Sequence, residues 1–203
     1  MRGEICLQRC AAWALWGLLA LFGSSWPTFA DDGKSLTGML LVAGDDVEDS
    51  DFTDAVVLVL NNLGPAPAGV IINKPMQVGV SQLFPKLKRL ENSHDKVYFG
   101  GPVEFGTVWF LFRASTQPEH AVRACDGVYL SADPELLLKL LNRAKPMDGL
   151  RIFVGHSGWA PGQLEEEIAH GDWALKRAEP NTIFNGNSEH PWPSPSQAPK
   201  SST

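Results

Sequence analysis

The chain has 203 residues, 44% of them hydrophobic and 20% charged, with a formal net charge of −6. That length fits one domain, or at most two small ones, and the composition can build a globular core. A net-acidic domain repels phosphate backbones unless it holds a basic patch. The best basic cluster, Lys86-Leu87-Lys88-Arg89, is short and has no interleaved aromatics, so direct nucleic-acid contact is excluded as a reading.

The chain opens with Arg2 and Arg9, blemished by Glu4, then the apolar run Ala11 to Phe22, then Gly23, Pro27, Thr28 and Ala30. This is the layout of a secretory signal peptide over residues 1–30, with cleavage expected after Ala30. The run is shorter than the roughly 20 apolar residues that cross a bilayer. The alternative is a misassigned start codon ahead of a cytosolic protein. Cleavage removes a net +1 and takes the charge from −6 to −7. It also removes Cys6 and Cys10, leaving Cys125 with no partner for an internal disulfide. Nothing near Cys125 in sequence lowers its pKa, which makes it a packed strand residue rather than a reactive thiol. The expected compartment is periplasmic or extracellular, with no membrane attachment after cleavage.

Residues 31–37 read as a polar linker. Gly38 to Ala43 and Ala55 to Leu60 are compact apolar runs, predicted as buried strands. The acidic stretch from Asp45 to Asp54 between them is predicted as a loop with a helical turn. Pro65 and Pro67 make residues 61–68 a loop. Gly69 to Asn73 is a third strand, stopped by Pro75. A short helix lies within residues 80–90, interrupted at Pro85. Val97 to Phe99 is a strand ending in Gly100-Gly101-Pro102; Thr107 to Arg113 is another, and Val128 to Leu130 pairs with a neighbour. Asp133 caps a helix that starts at Pro134, buries a leucine face between Leu136 and Leu141, and ends at Pro146. Arg151 to Val154 is a strand. Pro161 to His170 is a second helix, with Leu164 and Ile168 one turn apart. From Asn185 to residue 203 the composition predicts a disordered Pro/Ser-rich tail. Strands and helices alternate without a βαβ rhythm, which predicts an α+β fold.

Gly155-His156-Ser157-Gly158 resembles the start of a G-x-S-x-G nucleophile elbow. The position that needs the second glycine is Trp159, and a possible downstream acid–histidine order, Asp172 then His190, puts its histidine in the tail. The alternative is a strand–turn–helix corner anchored by Trp159. Glu165, Glu166 and Glu167 then lie in the first turns of the helix, where carboxylates suit the helix dipole. Three consecutive acids cannot face one point on a helix, and His156, His170 and Asp172 have no metal spacing. Neither a metal nor a cofactor is expected.

The segments GMLLVAGDDVEDSDFTDAVVLVL, GVIINKP, VYFGGPV, GVYLSAD and RIFVGHSGWAPGQLEEEI, in that order over residues 36–184, resemble the YqgE/AlgH family. The resemblance implies a single α+β domain over residues 31–184, with a bifurcated or barrel-like, mostly antiparallel sheet flanked by helices, and an activity that is unassigned. A transcriptional-regulator label goes with the AlgH name, without a recognisable DNA-binding domain. The family pattern G-Y-A-G-W commonly places alanine at the Ser157 position, which argues against a shared serine nucleophile. Asn62 stands where many members have histidine, and Ala66-Pro67-Ala68-Gly69 replaces G-A-x-G. The leading expectation is a non-enzymatic binding or accessory domain for an unknown protein or small molecule. Its surface would be framed by Asn73, Gly100, Gly101, His156, Trp159, Gln163 and Glu165, with no residue assigned as catalytic. The second is a hydrolase-type enzyme using Ser157 or Glu165; the third is indirect transcriptional regulation.

Overall fold

In a computed structural model of the chain, residues 36–44, 47, 49–60, 63–185 and 192 are described. The expected signal peptide, Asn62 and most of the expected tail lie outside the described residues. Ten strands and four helices make one α+β domain: β1 Met39–Ala43, β2 Val56–Leu60, β3 Ala68–Ile71, β4 Pro75–Gly79, α1 Val80–Leu83, β5 Lys96–Phe99, β6 Val103–Arg113, β7 Val122–Cys125, β8 Val128–Ser131, α2 Pro134–Leu141, β9 Leu150–Gly158, α3 Gln163–His170, β10 Trp173–Arg177 and α4 Pro180–Asn185. The main path of the sheet is β10-β1-β2-β3-β9-β6-β8-β7, and β4 and β5 branch from it.

The branch point is β9. One edge of β9 pairs antiparallel with β6. The other pairs parallel with β5 at Phe153 and Val154, then antiparallel with β3 at Ser157 and Gly158. The sheet is therefore bifurcated, and the fork has a physical cause. Gly100, leaving β5, donates its N–H to Val154 and accepts from Ile71 of β3, so one residue ties both branches. A Cβ on Gly100 would lie 2.3 Å from the Gly155 carbonyl oxygen, and one on Gly101 2.3 Å from the His156 carbonyl. Gly101 and Gly155 also have φ of +144° and +71°. Only glycine allows this backbone crossing.

Strands β1 and β2 are apolar on both faces because both faces are covered. One face of β1–β3, with Leu40, Val42, Leu58 and Val70, packs on Leu111, Leu130 and Phe153 from β6, β8 and β9, and on Ile183 of α4. The other face, with Leu41, Val57, Val59 and Ile71, packs under Trp159, Leu164 and Trp173. A further cluster places Val80, Leu137 and Leu141 against Phe110, Phe112 and Ile152.

Several boundaries differ from the sequence expectation. Pro75 does not merely stop a strand. It begins β4, which pairs only with β5, and proline is tolerated at the first residue of an edge strand. The helix capped by Asp133, whose carboxylate accepts the Leu136 N–H at 2.7 Å, ends at Leu141, well before Pro146. The strand predicted over 151–154 runs on to Gly158, so there is no turn at Gly155, and α3 starts at Gln163 rather than Pro161. Strand β10 pairs with β1 and was not predicted. Helix α4 ends on Asn185, where the tail was expected to begin.

Candidate functional site

Ser157 is wholly buried in the interior of β9, and its hydroxyl donates to the Gly100 carbonyl at 3.2 Å. A nucleophile elbow holds its serine exposed on a strand-to-helix turn. Here the strand continues past the serine, and alternation sends His156 to the opposite face. The motif therefore does not form the elbow it resembles: the serine ties the fork. Gly100 and Gly101 form the backbone crossing beside it. His156 packs edge-on to Trp109 with ring centroids 5.6 Å apart, and its Nδ1 lies 3.9 Å from a Glu104 carboxylate oxygen, beyond hydrogen-bond range. Among the described residues, His156 Nδ1 and Trp109 Nε1 have no hydrogen-bond partner.

Asn73 is a local clamp. Its Oδ1 accepts the Val56 N–H at 2.9 Å, and its Nδ2 donates to the Asp54 carbonyl at 2.7 Å. That accounts for asparagine there, because Asp54 sits at φ +56° and its turn must be held to start β2. The Lys74 ammonium grips the same loop through the Ser50 and Asp51 carbonyls.

Trp159 and Gln163 do meet, through a residue that sequence reasoning passed over. Glu167 accepts the indole N–H groups of Trp159 and Trp173 on one carboxylate oxygen, each at 2.8 Å. Its other oxygen accepts from Gln163 Nε2 at 2.8 Å, and Gln163 Oε1 accepts the Ala160 N–H at 3.0 Å. Helical spacing makes this possible, since Gln163 and Glu167 are one turn apart on α3. Gly171, at φ +91°, ends α3 and sends the chain back into β10, which carries Trp173. The two indoles stand edge to face at 6.3 Å, and Phe52 adds a second edge contact to Trp173 at 5.8 Å.

Beside this clamp is a cleft of about 270 Å³, lined by Phe52, Trp159, Trp173 and Glu167, with Asp49 and Asp172 contributing further carboxylates. Glu165 is exposed on α3, and its side chain makes no hydrogen bond or ion pair among the described residues. The site residues inferred from sequence thus divide. Gly100, Gly101 and His156 gather at the fork, Trp159 and Gln163 gather around Glu167, and Asn73 and Glu165 stand apart from both. Glu167, Trp173 and Phe52 complete the second group; the i, i+4 pairing of Gln163 and Glu167 was the one sequence signal for it.

Cys125 is half-buried on β7, and burial, helped by neighbouring Asp126, pushes its thiol pKa up to about 11. No cluster of three or more His, Cys, Asp or Glu side chains able to hold a metal occurs among the described residues. None of the described helices is long and apolar enough to cross a membrane.

Residues 40–198 match the family described as DUF179, AlgH-like. The chain belongs to the AlgH-like family. Its relatives include a UPF0301 protein of Streptomyces avermitilis, 36% identical over 168 residues, which span 78% of this chain and 84% of the relative. A UPF0301 protein of Chlorobium luteolum is 31% identical, over 81% of this chain and 86% of its own. A crystal structure of a Corynebacterium diphtheriae protein superposes with a TM-score of 0.58 at 30% identity, covering 72% of this chain and 78% of that one. The solution structure of the AlgH protein from Pseudomonas aeruginosa gives a TM-score of 0.63 at 23% identity, over 83% and 88% of the two chains, and shares the fold. None of these AlgH-like relatives carries an activity in its name.

Proposed function

We propose that this AlgH-like chain is an exported, non-enzymatic binding or accessory protein, and that it engages its partner at the cleft over Trp159 and Trp173. The observation that supports this most is the Glu167 clamp. Three side-chain hydrogen bonds hold two indoles and one carboxylate in fixed positions beside an open cleft. A preformed site loses little ordering entropy on binding. Aromatic edges and faces next to the Asp49 and Asp172 carboxylates favour a cationic group, such as a basic side chain of a protein or the amine of a small molecule. The enzyme reading finds less support, because Ser157 is buried with its hydroxyl occupied and Glu165 stands alone on the surface. Net acidity disfavours nucleic acid as the direct partner, and any effect on transcription is indirect.

Export is read from residues 1–30 alone and is tested by N-terminal sequencing of the protein from fractionated cells. The mature chain should start at Asp31 outside the cytosol; an intact N-terminus in the cytosolic fraction refutes it. The cleft is tested by placing a photo-crosslinking amino acid at Asp49 or, as a distant control, at Lys139 on α2. A discrete adduct at Asp49 that is absent at Lys139, and that is competed by free arginine or lysine peptides, supports the reading. Equal or absent crosslinking at both positions overturns it.

A further inference from the structure

Arg151 is nine-tenths buried, at 8% exposure, on β9. A buried guanidinium stays charged, and taking it out of water costs several kcal/mol or more unless an anion or a full set of acceptors replaces the water. Here two of its N–H groups are satisfied, by the Ile72 and Phe184 carbonyls at 3.2 and 3.1 Å. Its plane lies against the Tyr98 ring at 4.5 Å and the Trp192 ring at 5.3 Å. No carboxylate lies within ion-pair distance of it among the described residues. Guanidinium has five N–H donors in a planar fork, so three remain without a described protein acceptor. Burial accordingly lowers the Arg151 pKa from its ordinary value, with Tyr98 and Asp95 pulling the other way.

The guanidinium borders a cavity of about 460 Å³ that shares no lining residue with the Trp159 cleft. Lys96 and Arg113 also line it, as do Asp95 and Asp148, so the lining carries one positive charge in excess on a chain whose total is −6. Arg113 is held at the rim, donating to Asn181 at 3.0 Å and stacked on Phe184 at 4.9 Å. Both arginines are therefore held by α4, and neither is paired with an acid among the described residues. The volume falls in the usual range for a small-molecule site, roughly 300 to 1,000 Å³.

We infer that this cavity is an oxyanion site: Arg151 at its base and Arg113 at its rim receive the carboxylate or phosphate group of a small ligand. The guanidinium N–H groups that the two carbonyls leave over can donate to either oxyanion. Tyr98 and Phe184 give the body of the ligand apolar contact, and the Asp95 and Asp148 carboxylates at the edge disfavour a second negative charge there. The site is independent of the partner cleft proposed above, and either can fail without the other.

The test uses the full chain labelled with 15N, titrated with inorganic phosphate, acetate and succinate at constant ionic strength, following the arginine Nε–Hε resonances alongside calorimetry. Saturable shifts of the Arg151 signal, with affinity weakened at least fivefold by Arg113→Gln, support the proposal. The probe that binds tighter, phosphate or a carboxylate, tells which oxyanion the site prefers. Arg113 is exposed, so Arg113→Gln stays informative where Arg151→Gln fails to fold. Arg151→Lys, which keeps the charge and loses the fork, should weaken binding as well. An Arg151 resonance that moves linearly with every anion including chloride, or affinity unchanged by Arg113→Gln, overturns the proposal.

Discussion

Replacing Glu167 by alanine removes three hydrogen bonds with one substitution and leaves two indole N–H groups, on tryptophans 7% and 6% exposed, with no acceptor. A hydrogen bond to a charged group contributes about 1.5 to 3 kcal/mol, and an orphaned buried donor costs about 1 to 3 kcal/mol. The three bonds share one carboxylate and their donors relax together, so the sum is not additive; about 3 to 5 kcal/mol is the expected loss. That is a large part of the roughly 5 to 15 kcal/mol that holds a domain folded. With a urea slope of about 2 kcal/mol/M, the unfolding midpoint falls by about 2 M. Glu167→Gln keeps one acceptor oxygen for the indoles but turns an amide N–H₂ toward the Gln163 donor, and should lose about half as much. Glu165→Ala, on the same helix and exposed, should stay within about 0.5 kcal/mol. The assay is equilibrium urea unfolding followed by tryptophan fluorescence, which also reports the two clamped indoles directly. If Glu167→Ala and Glu165→Ala unfold at the same midpoint, the clamp contributes nothing and the reasoning fails.

Other consequences are equally specific. Ser157→Ala should cost about 1 kcal/mol, because the Gly100 carbonyl keeps its bond from the Ile71 N–H; wild-type protein should take no fluorophosphonate label, and stoichiometric labelling at Ser157 would restore the hydrolase. Gly101→Ala should abolish soluble folded protein, since its Cβ meets the His156 backbone at 2.3 Å; a variant melting within a few degrees of wild type contradicts the fork. Cys125, with its pKa raised to about 11, should resist iodoacetamide in the native state at pH 7. Because the folded pKa lies above the ordinary 9.0, the thiol's contribution to stability is full below pH 9 and lost as pH rises through 11. A melting temperature for Cys125→Ser that falls as steeply as wild type's over that window rules this out.

What could be read in the sequence depended on whether the determining forces were local. The Asp133–Pro134 start of α2 was legible because a cap and a proline act within one turn. The run from Ala55 to Leu60 was legible because both faces of β2 are covered, which leaves an unbroken apolar stretch. Strand β10 was hidden because it pairs only with β1, far away in the chain, and its own alternation is weak. The motif 155–159 misled for the same reason. Its glycines suit a tight turn and an elbow, but the fork uses Gly155 for a contact with Gly100 and Gly101, which only the tertiary fold creates.

The same distinction explains which site residues were found. Tryptophan and glutamine attract notice as residue types, whereas Glu167 sits third in an acidic run that reads as a solvated helix face. What separates it from Glu165 and Glu166 is its angular position on α3, which turns one carboxylate inward toward two indoles. Arg151 was less visible still, lying inside an apolar strand with no acidic residue at a matching spacing. A charge that a strand buries and no nearby acid answers has to be stabilised by partners distant in sequence. Here they are two carbonyls, two aromatic rings and an open cavity, drawn from β5, the residue after β3, α4 and Trp192. The clamp holds α3 and β10 over one face of β1–β3, while Arg151 and Arg113 hold α4, which packs on the other face. Residues near β9 therefore set the shape of both concave surfaces, and a change at the glycine crossing should distort the two together.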